Sequence, residues 1–260
     1  MHLDSNRGFD DALIVPDASF DVDLLALMYT RTVSVGGHLG ALAIIAPGGR
    51  VDGGLAGTDF QGESTGLGDI MVLGLVNLYG APAYNPQEYQ SFTPHTAVDL
   101  LFVVTAPTGE YDSSKTINLG TNRWSVRIGA PVLHFFNWGP GQATSLELIP
   151  NVTFFTDNSD PAGQADEIEQ DPLFTLEGHL THDFNLKLWG SLDAMYTAGG
   201  ETTMDGIAQD NRQRSLALGA TLGVSFSRTT GVSVSYGGIV DRNDNGMDGN
   251  MLRVMFHYIF

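Results

Sequence analysis

The feature that most constrains this chain is its period. Over most of its length apolar side chains recur at every second residue, and no window carries the 3.6-residue stripe of an amphipathic helix. The last segment shows this best: Leu252, Val254, Phe256, Tyr258 and Phe260 share one face, and Met251, Arg253, Met255, His257 and Ile259 share the other. In the same way Trp124, Val126, Ile128, Ala130 and Val132 alternate with Arg123, Ser125, Arg127, Gly129 and Pro131. Leu186, Leu188, Gly190, Leu192 and Ala194 alternate with Lys187, Trp189, Ser191, Asp193 and Met195. The fold class is therefore all-β. Eleven strands are read, near 20–32, 38–47, 68–79, 95–106, 122–136, 145–156, 173–183, 185–199, 212–226, 231–241 and 250–260.

The spacing of these strands predicts their arrangement. From the fifth onward, long polar connections (107–121, 157–172, 200–211, 242–249) alternate with short ones (137–144, near 184, 227–230), so the long ones gather at one end. That is the layout of an antiparallel up-and-down barrel with one elaborated rim. The Pro- and Tyr-containing stretch 80–94 is the exception, at the short-turn end. A two-sheet sandwich would also alternate. Against it stand strands longer than a sandwich needs, whereas about 9–11 tilted residues cross a bilayer. Aromatic residues near strand ends (Trp124, Phe135, Phe136, Trp138, Tyr196, Tyr258, Phe260) also sit where interfacial girdles belong. In hydrocarbon every N–H and C=O needs an internal partner, and a closed sheet supplies one without helices. A helical span is excluded, because no run approaches the ~18–20 apolar residues it requires.

Composition narrows the partners. With 30 acids against 12 bases the formal net charge is −18, which argues against a nucleic-acid partner. There is no cysteine, so disulfides and thiolate metal frameworks are ruled out. Gly62-Glu-Ser64-Thr-Gly66 fits a nucleophile-elbow pattern, but that motif needs a helix to follow and a strand follows here. A Gly-rich surface loop is expected instead. Asp241-Arg-Asn-Asp-Asn-Gly246 has the spacing of a calcium loop, yet its twelfth position is Leu252, so a tight Asn-Gly turn is expected. His179 and His182 lie three apart on a strand, point to opposite faces and cannot share a metal. The outer loops hold acids and no histidine, so neither catalytic residues, nor a metal, nor a cofactor is expected.

The better functional candidates share the inward parity. They are the charged Asp99, Arg123, Arg127, Glu147, Glu177, Lys187, Asp193 and Arg253, and the apolar Leu101, Leu133, Phe135, Phe155, Trp189 and Met195. The charges can either brace the wall as ion pairs or set the field along a water-filled path. The apolar residues suit partly hydrophobic solutes, or pack against an inward-folded loop.

Several blocks resemble a known family. Ala106-Pro107-Thr108-Gly109-Glu110-Tyr111, followed by Asn118-Leu-Gly120-Thr-Asn122-Arg-Trp124-Ser, is similar to the signature of outer-membrane channels described as transporters of the meta-pathway of phenol degradation. Gly66-Leu-Gly68-Asp69, the Gly199-Gly200 to Gly206 stretch and Gln209-Asp-Asn211 resemble further motifs of that family, and the likeness runs from about residue 20 to 260. The resemblance implies a twelve-stranded monomeric barrel in the bacterial outer membrane, passing small hydrophobic or aromatic solutes. Its partners would be lipid and the barrel-insertion machinery, with Phe256, Tyr258 and Phe260 resembling the insertion signal. The alternative function is a structural or adhesive barrel whose acidic outer loops, Asp157–Asp171 above all, bind divalent ions. With eleven strands read and no visible signal peptide, the chain is expected to lack the family's first strand. Residues 1–19 then form a polar segment left from an outer loop, and 20–260 the barrel. The rival expectation is a short strand at Ala12–Val15.

Overall fold

A strand with an unpaired edge in lipid is costly, so a chain built from alternating segments is driven to pair every segment on both sides. The computed structural model describes residues 1–6, 18–55, 61–83 and 92–260, and among them there is no helix. The Ala12–Val15 segment lies outside the described residues. The strands are β1 (His2–Ser5), β2 (Ala18–Val35), β3 (His38–Leu55), β4 (Gln61–Leu67), β5 (Ile70–Tyr79) and β6 (Thr96–Ala106). They continue with β7 (Ser125–Gly129), β8 (Val132–Asn137), β9 (Thr144–Phe155), β10 (Ile168–Gln170), β11 (Leu173–Asp183) and β12 (Leu188–Gly199). The last are β13 (Thr202–Met204), β14 (Ile207–Ala208), β15 (Gln213–Ser225), β16 (Thr230–Arg242) and β17 (Gly249–Tyr258).

Every pairing is antiparallel, and the main sheet closes on itself. Around the wall the order is β1, β2, β3, β5, β6, β7 with β8, β9, β11, β12, β15, β16 and β17, which returns to β1. β7 and β8 are one wall strand, because both pair with β6 and with β9. The break between them falls at Ala130-Pro131, where proline has no N–H to give the ladder. β4 folds back on the outer part of β3, and β10, β13 and β14 form a small separate sheet in the outer loops.

The wall therefore has twelve strands rather than the eleven read from the period. The additional one is β1, which pairs Leu3 with both Met251 and Val22. Four residues are too few for a two-residue alternation to stand out, so this strand is legible only from its neighbours. It joins β2 and β17 over their outer parts, and the Met1 ammonium donates to the Leu24 carbonyl at 2.8 Å. Towards the other end Tyr29 and Phe260 stack across the same seam, with ring centroids 6.0 Å apart.

Exposure follows parity. In β5 to β17 the even-numbered apolar residues look outward: Phe102, Ile128, Phe154, Leu192, Leu222 and Val254 are all exposed, whereas their odd-numbered neighbours are mostly half-buried. Exposed aromatics end the strands at the short-turn side (Tyr79, Phe136, Phe184, Phe226, Tyr258), and Trp124, Phe154 and Phe174 mark the opposite side. These are the two girdles of a membrane-spanning sheet.

A small core sits at the outer end of the inner face. Phe20 and Val22 of β2 and Val51 of β3 meet Ile117 and Leu119, which the 107–124 segment brings back over the wall; Val51 and Leu119 are fully buried. Of two expected loops, one is a strand. Ser64 lies buried in the middle of β4, where strand pairing with β3 replaces the expected surface loop. Gly246 closes a turn by donating to the Asn243 carbonyl at 3.0 Å, so the 241–246 block is a turn.

Candidate functional site

Two polar systems occupy the barrel, one on the inner wall and one at the outer rim. On the inner wall, register brings side chains from distant parts of the chain to one height. His179 of β11 faces Glu147 of β9 on one side and Asp193 of β12 on the other. Its Nδ1 lies 2.8 Å from Asp193 Oδ1, and its Nε2 is 4.0 Å from Glu177 Oε2. Ser191 and Thr221 each donate to Asp193 at 2.8 Å, and the hydroxyls of Thr221 and Ser235 are 2.9 Å apart. Ser235 is the register partner of Arg253. Beyond Glu147, the Asp99 carboxylate accepts a 2.7 Å hydrogen bond from Asn77 Nδ2. A polar belt thus crosses β5, β6, β9, β11, β12, β15, β16 and β17. Its members are not sealed: the side chains of His179, Glu177 and Asp193 keep 32%, 31% and 21% of their accessibility. An inward group that retains this much accessibility faces water.

The inward candidates divide by environment. Asp99, Glu147, Glu177 and Asp193 belong to the belt, while Arg127 sits higher and donates from Nε to Thr153 at 3.1 Å. Arg123 is buried near the rim, its guanidinium 2.6 Å from Gln170 Oε1 and 4.5 Å above the Phe155 ring. Arg253 is exposed on β17. Lys187 is not on the inner wall: it lies in the turn before β12, where the Asn185 side chain accepts the N–H groups of Lys187 and Leu188 and ends the strand. Among the described residues no carboxylate comes within 4.0 Å of Arg127, Lys187 or Arg253. The expected cross-wall arginine–carboxylate braces are therefore not formed by these three. Leu101, Leu133, Phe135, Phe155, Trp189 and Met195 lie half-buried on the inner side. The Trp189 ring fills the space a side chain at Gly223 would need: a Cβ on Gly223 would come within 2.1 Å of a ring carbon.

At the rim the family-like blocks meet in one clasp. Asp69 is 2% exposed and accepts three hydrogen bonds: from the Gly109 N–H at 2.8 Å, the Thr121 N–H at 2.9 Å and the Thr121 hydroxyl at 2.6 Å. Gly68 donates to the Pro47 carbonyl, and Glu110 to that of Leu67. Thr108 Oγ1 accepts the Ile70 N–H at 3.0 Å. The backbones of Gly109 and Gly120 are pressed together, so that a Cβ on Gly109 would come within 2.8 Å of Gly120 Cα. That contact is the physical reason both are glycine. Pro107 lines the same region, facing a polar cavity of about 560 Å³ together with Tyr111, Asp112, Lys115, Asn122 and Asp160.

From the clasp, hydrogen bonds run around the rim. Asn118 ties both ends of the Asp112–Lys115 turn, and Asn122, at φ +55°, donates to Asn158. Gln170 passes the chain from Arg123 to the Gly200 carbonyl. Gly199, Gly200 and Gly206 all adopt positive φ in the turns on either side of β13. Asn245 and Asn243 hold Asp210 and Arg212, and Asn6 holds Gly246 and Asp248. Among the described residues no three carboxylate or imidazole groups converge as a metal site requires.

Asn77, Thr221 and Ser235 are not among the sequence candidates, and His179 enters there only as a metal ligand that its spacing from His182 excludes. Parity alone could have placed His179, which is two residues from Glu177. Its partner lies 14 residues away, and only the register of β11 with β12 brings them together.

A closed antiparallel sheet with an apolar exterior, girdles at both ends and a charged interior is a transmembrane β-barrel. The chain belongs to the family described as "Putative MetA-pathway of phenol degradation", whose profile matches residues 5–256. Its structure is similar to the crystal structure of the COG4313 outer membrane channel from Pseudomonas putida F1. The TM-score is 0.80 at 20% sequence identity, over 100% of this chain and 92% of that one. No curated protein matches the chain.

Proposed function

We propose that this barrel is a channel of the bacterial outer membrane through which small, partly hydrophobic or aromatic solutes pass passively. The observation that carries this reading is the accessible polar belt enclosed by a continuous apolar exterior: charged groups facing water inside a closed wall define an aqueous route. The half-buried Leu101, Phe135, Trp189 and Met195 on the same inner face make that route amphiphilic, which favours solutes with an apolar part. Its task is transport rather than catalysis. Twelve strands close without help from a second copy, which supports a monomer. The exposed Phe256, Tyr258 and Phe260 at the end of β17 are offered as the strand recognised during insertion.

Planar-bilayer recording on the refolded protein, paired with uptake of aromatic compounds by a deletion strain, tests this. Discrete conductance steps and slowed uptake in the deletion strain are the expected results. A silent bilayer together with unchanged uptake overturns the proposal.

A further inference from the structure

The charge on the inner belt is not balanced by the cations nearest to it in the sequence pattern. Asp99, Glu147, Glu177 and Asp193 contribute four carboxylates at one level of the lumen. Their nearest basic neighbour within the wall is the His179 imidazole, which lies against Asp193 and Glu177. Arg127 is spent on Thr153, and Arg253 has no carboxylate within 4.0 Å among the described residues. Apart from the Arg253 guanidinium, the remaining groups in the belt, Asn77, Ser191, Thr221 and Ser235, are neutral and hold Asp99 and Asp193 in place without cancelling their charge. Arg127 and Arg253 offset two of the four carboxylates by their field alone, and partial accessibility of the belt lets mobile cations from solution balance the two that remain.

We infer that this belt is the specificity-determining element of the channel: it rejects anions, so that aromatic solutes cross in uncharged or cationic form and aromatic carboxylates and sulfonates are excluded. The inference rests on the channel reading above and names the solute class of that same route. Fixed charges lining a pore bias which ions pass, and low-dielectric walls focus their field. A monovalent ion about 7 Å from one carboxylate in water has its local concentration changed about threefold, and several carboxylates at one height compound this, less the screening by salt. A difference of roughly tenfold between matched cationic and anionic solutes is therefore expected at low ionic strength.

Two permanently charged probes of similar size make the test, benzyltrimethylammonium and benzenesulfonate, since neither crosses lipid unaided. Flux into proteoliposomes is measured for each, and the reversal potential is read in a KCl gradient across a planar bilayer. Preference for benzyltrimethylammonium and for potassium is expected, with both preferences falling several-fold in the Glu147→Gln, Glu177→Gln double variant. Equal flux of the two probes, or a reversal potential on the chloride side, in the unaltered protein overturns the inference while leaving the channel intact. Loss of both fluxes and of all conductance overturns the channel reading itself. The unaltered protein decides these outcomes even if the double variant fails to fold. If the variant folds and keeps the full preference, the belt is not the filter.

Discussion

The clasp at the rim and the belt on the inner wall both place aspartate among hydroxyl and amide donors, yet they do opposite things. Asp69 spends its carboxylate on two backbone N–H groups and one hydroxyl, is shut away from water, and thereby ties the 107–124 segment to the turn between β4 and β5. Asp193 is held by Ser191, Thr221 and His179 but keeps a face open to the lumen, and the Glu147 carboxylate, on the far side of His179, accepts no hydrogen bond among the described residues. Satisfied and buried, a carboxylate is a structural part whose removal orphans its donors. Held but accessible, it keeps its charge available to whatever passes. The family-like motifs concentrate in the first system, which explains why they read as a signature while saying little about the solute.

Breaking the clasp should have the largest effect. Asp69→Ala leaves the part-buried N–H groups of Gly109 and Thr121 without an acceptor, each a loss of about 1–3 kcal/mol, and leaves the Thr121 hydroxyl only the Arg123 carbonyl at 3.3 Å. The 107–124 segment is then expected to come away from the wall, freeing the backbone around the already exposed Lys115 to enter the trypsin cleft. Cleavage after Lys115 faster by tenfold or more, in protein that remains a barrel by its heat-modifiable migration, is the expected outcome; unchanged cleavage would show that the clasp does not hold the segment. Gly109→Ala acts on the same contact by overpacking against Gly120, at about 1–3 kcal/mol, with a parallel but smaller gain in cleavage.

Substitutions in the belt should separate the two systems. Thr221→Val removes one donor to Asp193 and should cost about 1 kcal/mol of stability in a denaturant titration, without altering trypsin access to Lys115. Its signature belongs to the reversal potential, which should shift as Asp193 loses its fixed position. A Thr221→Val protein with altered cleavage and unaltered selectivity would erase the distinction drawn between the regions.

The smallest effect is at Asp112, in the outer loop beside the clasp. The Ser114 hydroxyl at 2.6 Å and then the Ser114 N–H at 3.0 Å hold its carboxyl below the usual carboxylate value. The folded value is depressed, so the stabilisation is fully present above the ordinary carboxylate range and is lost as pH falls through the lowered value. Ser114→Ala should raise the Asp112 midpoint in a carboxyl NMR titration while leaving the rate of cleavage after Lys115 unchanged at neutral pH. An unmoved midpoint would remove Ser114 as the cause.

What the sequence determined by itself was the wall. A strict two-residue period fixes which side chains can share a face, so Asp99, Glu147, Glu177 and Asp193 could be assigned to one parity, and loop lengths alone separate the two ends. Period is a local property, and it fails where a segment is too short or where a neighbour supplies the pattern. That is why β1, with four residues, does not stand out in the period, why the Gly-rich block around Ser64 reads as a loop rather than as β4, and why the period begins at 185 a strand whose ladder begins at Leu188, taking Lys187 with it. The tertiary structure decided everything that depends on register between strands: closure of the sheet by β1, the union of Asp69 with Gly109 and Thr121 some 40 and 52 residues away, and the contact of His179 with Asp193. Parity tells a side chain which way to face, but only the pairing of whole strands fixes the height at which it meets another, and the charge balance of the lumen is set by height.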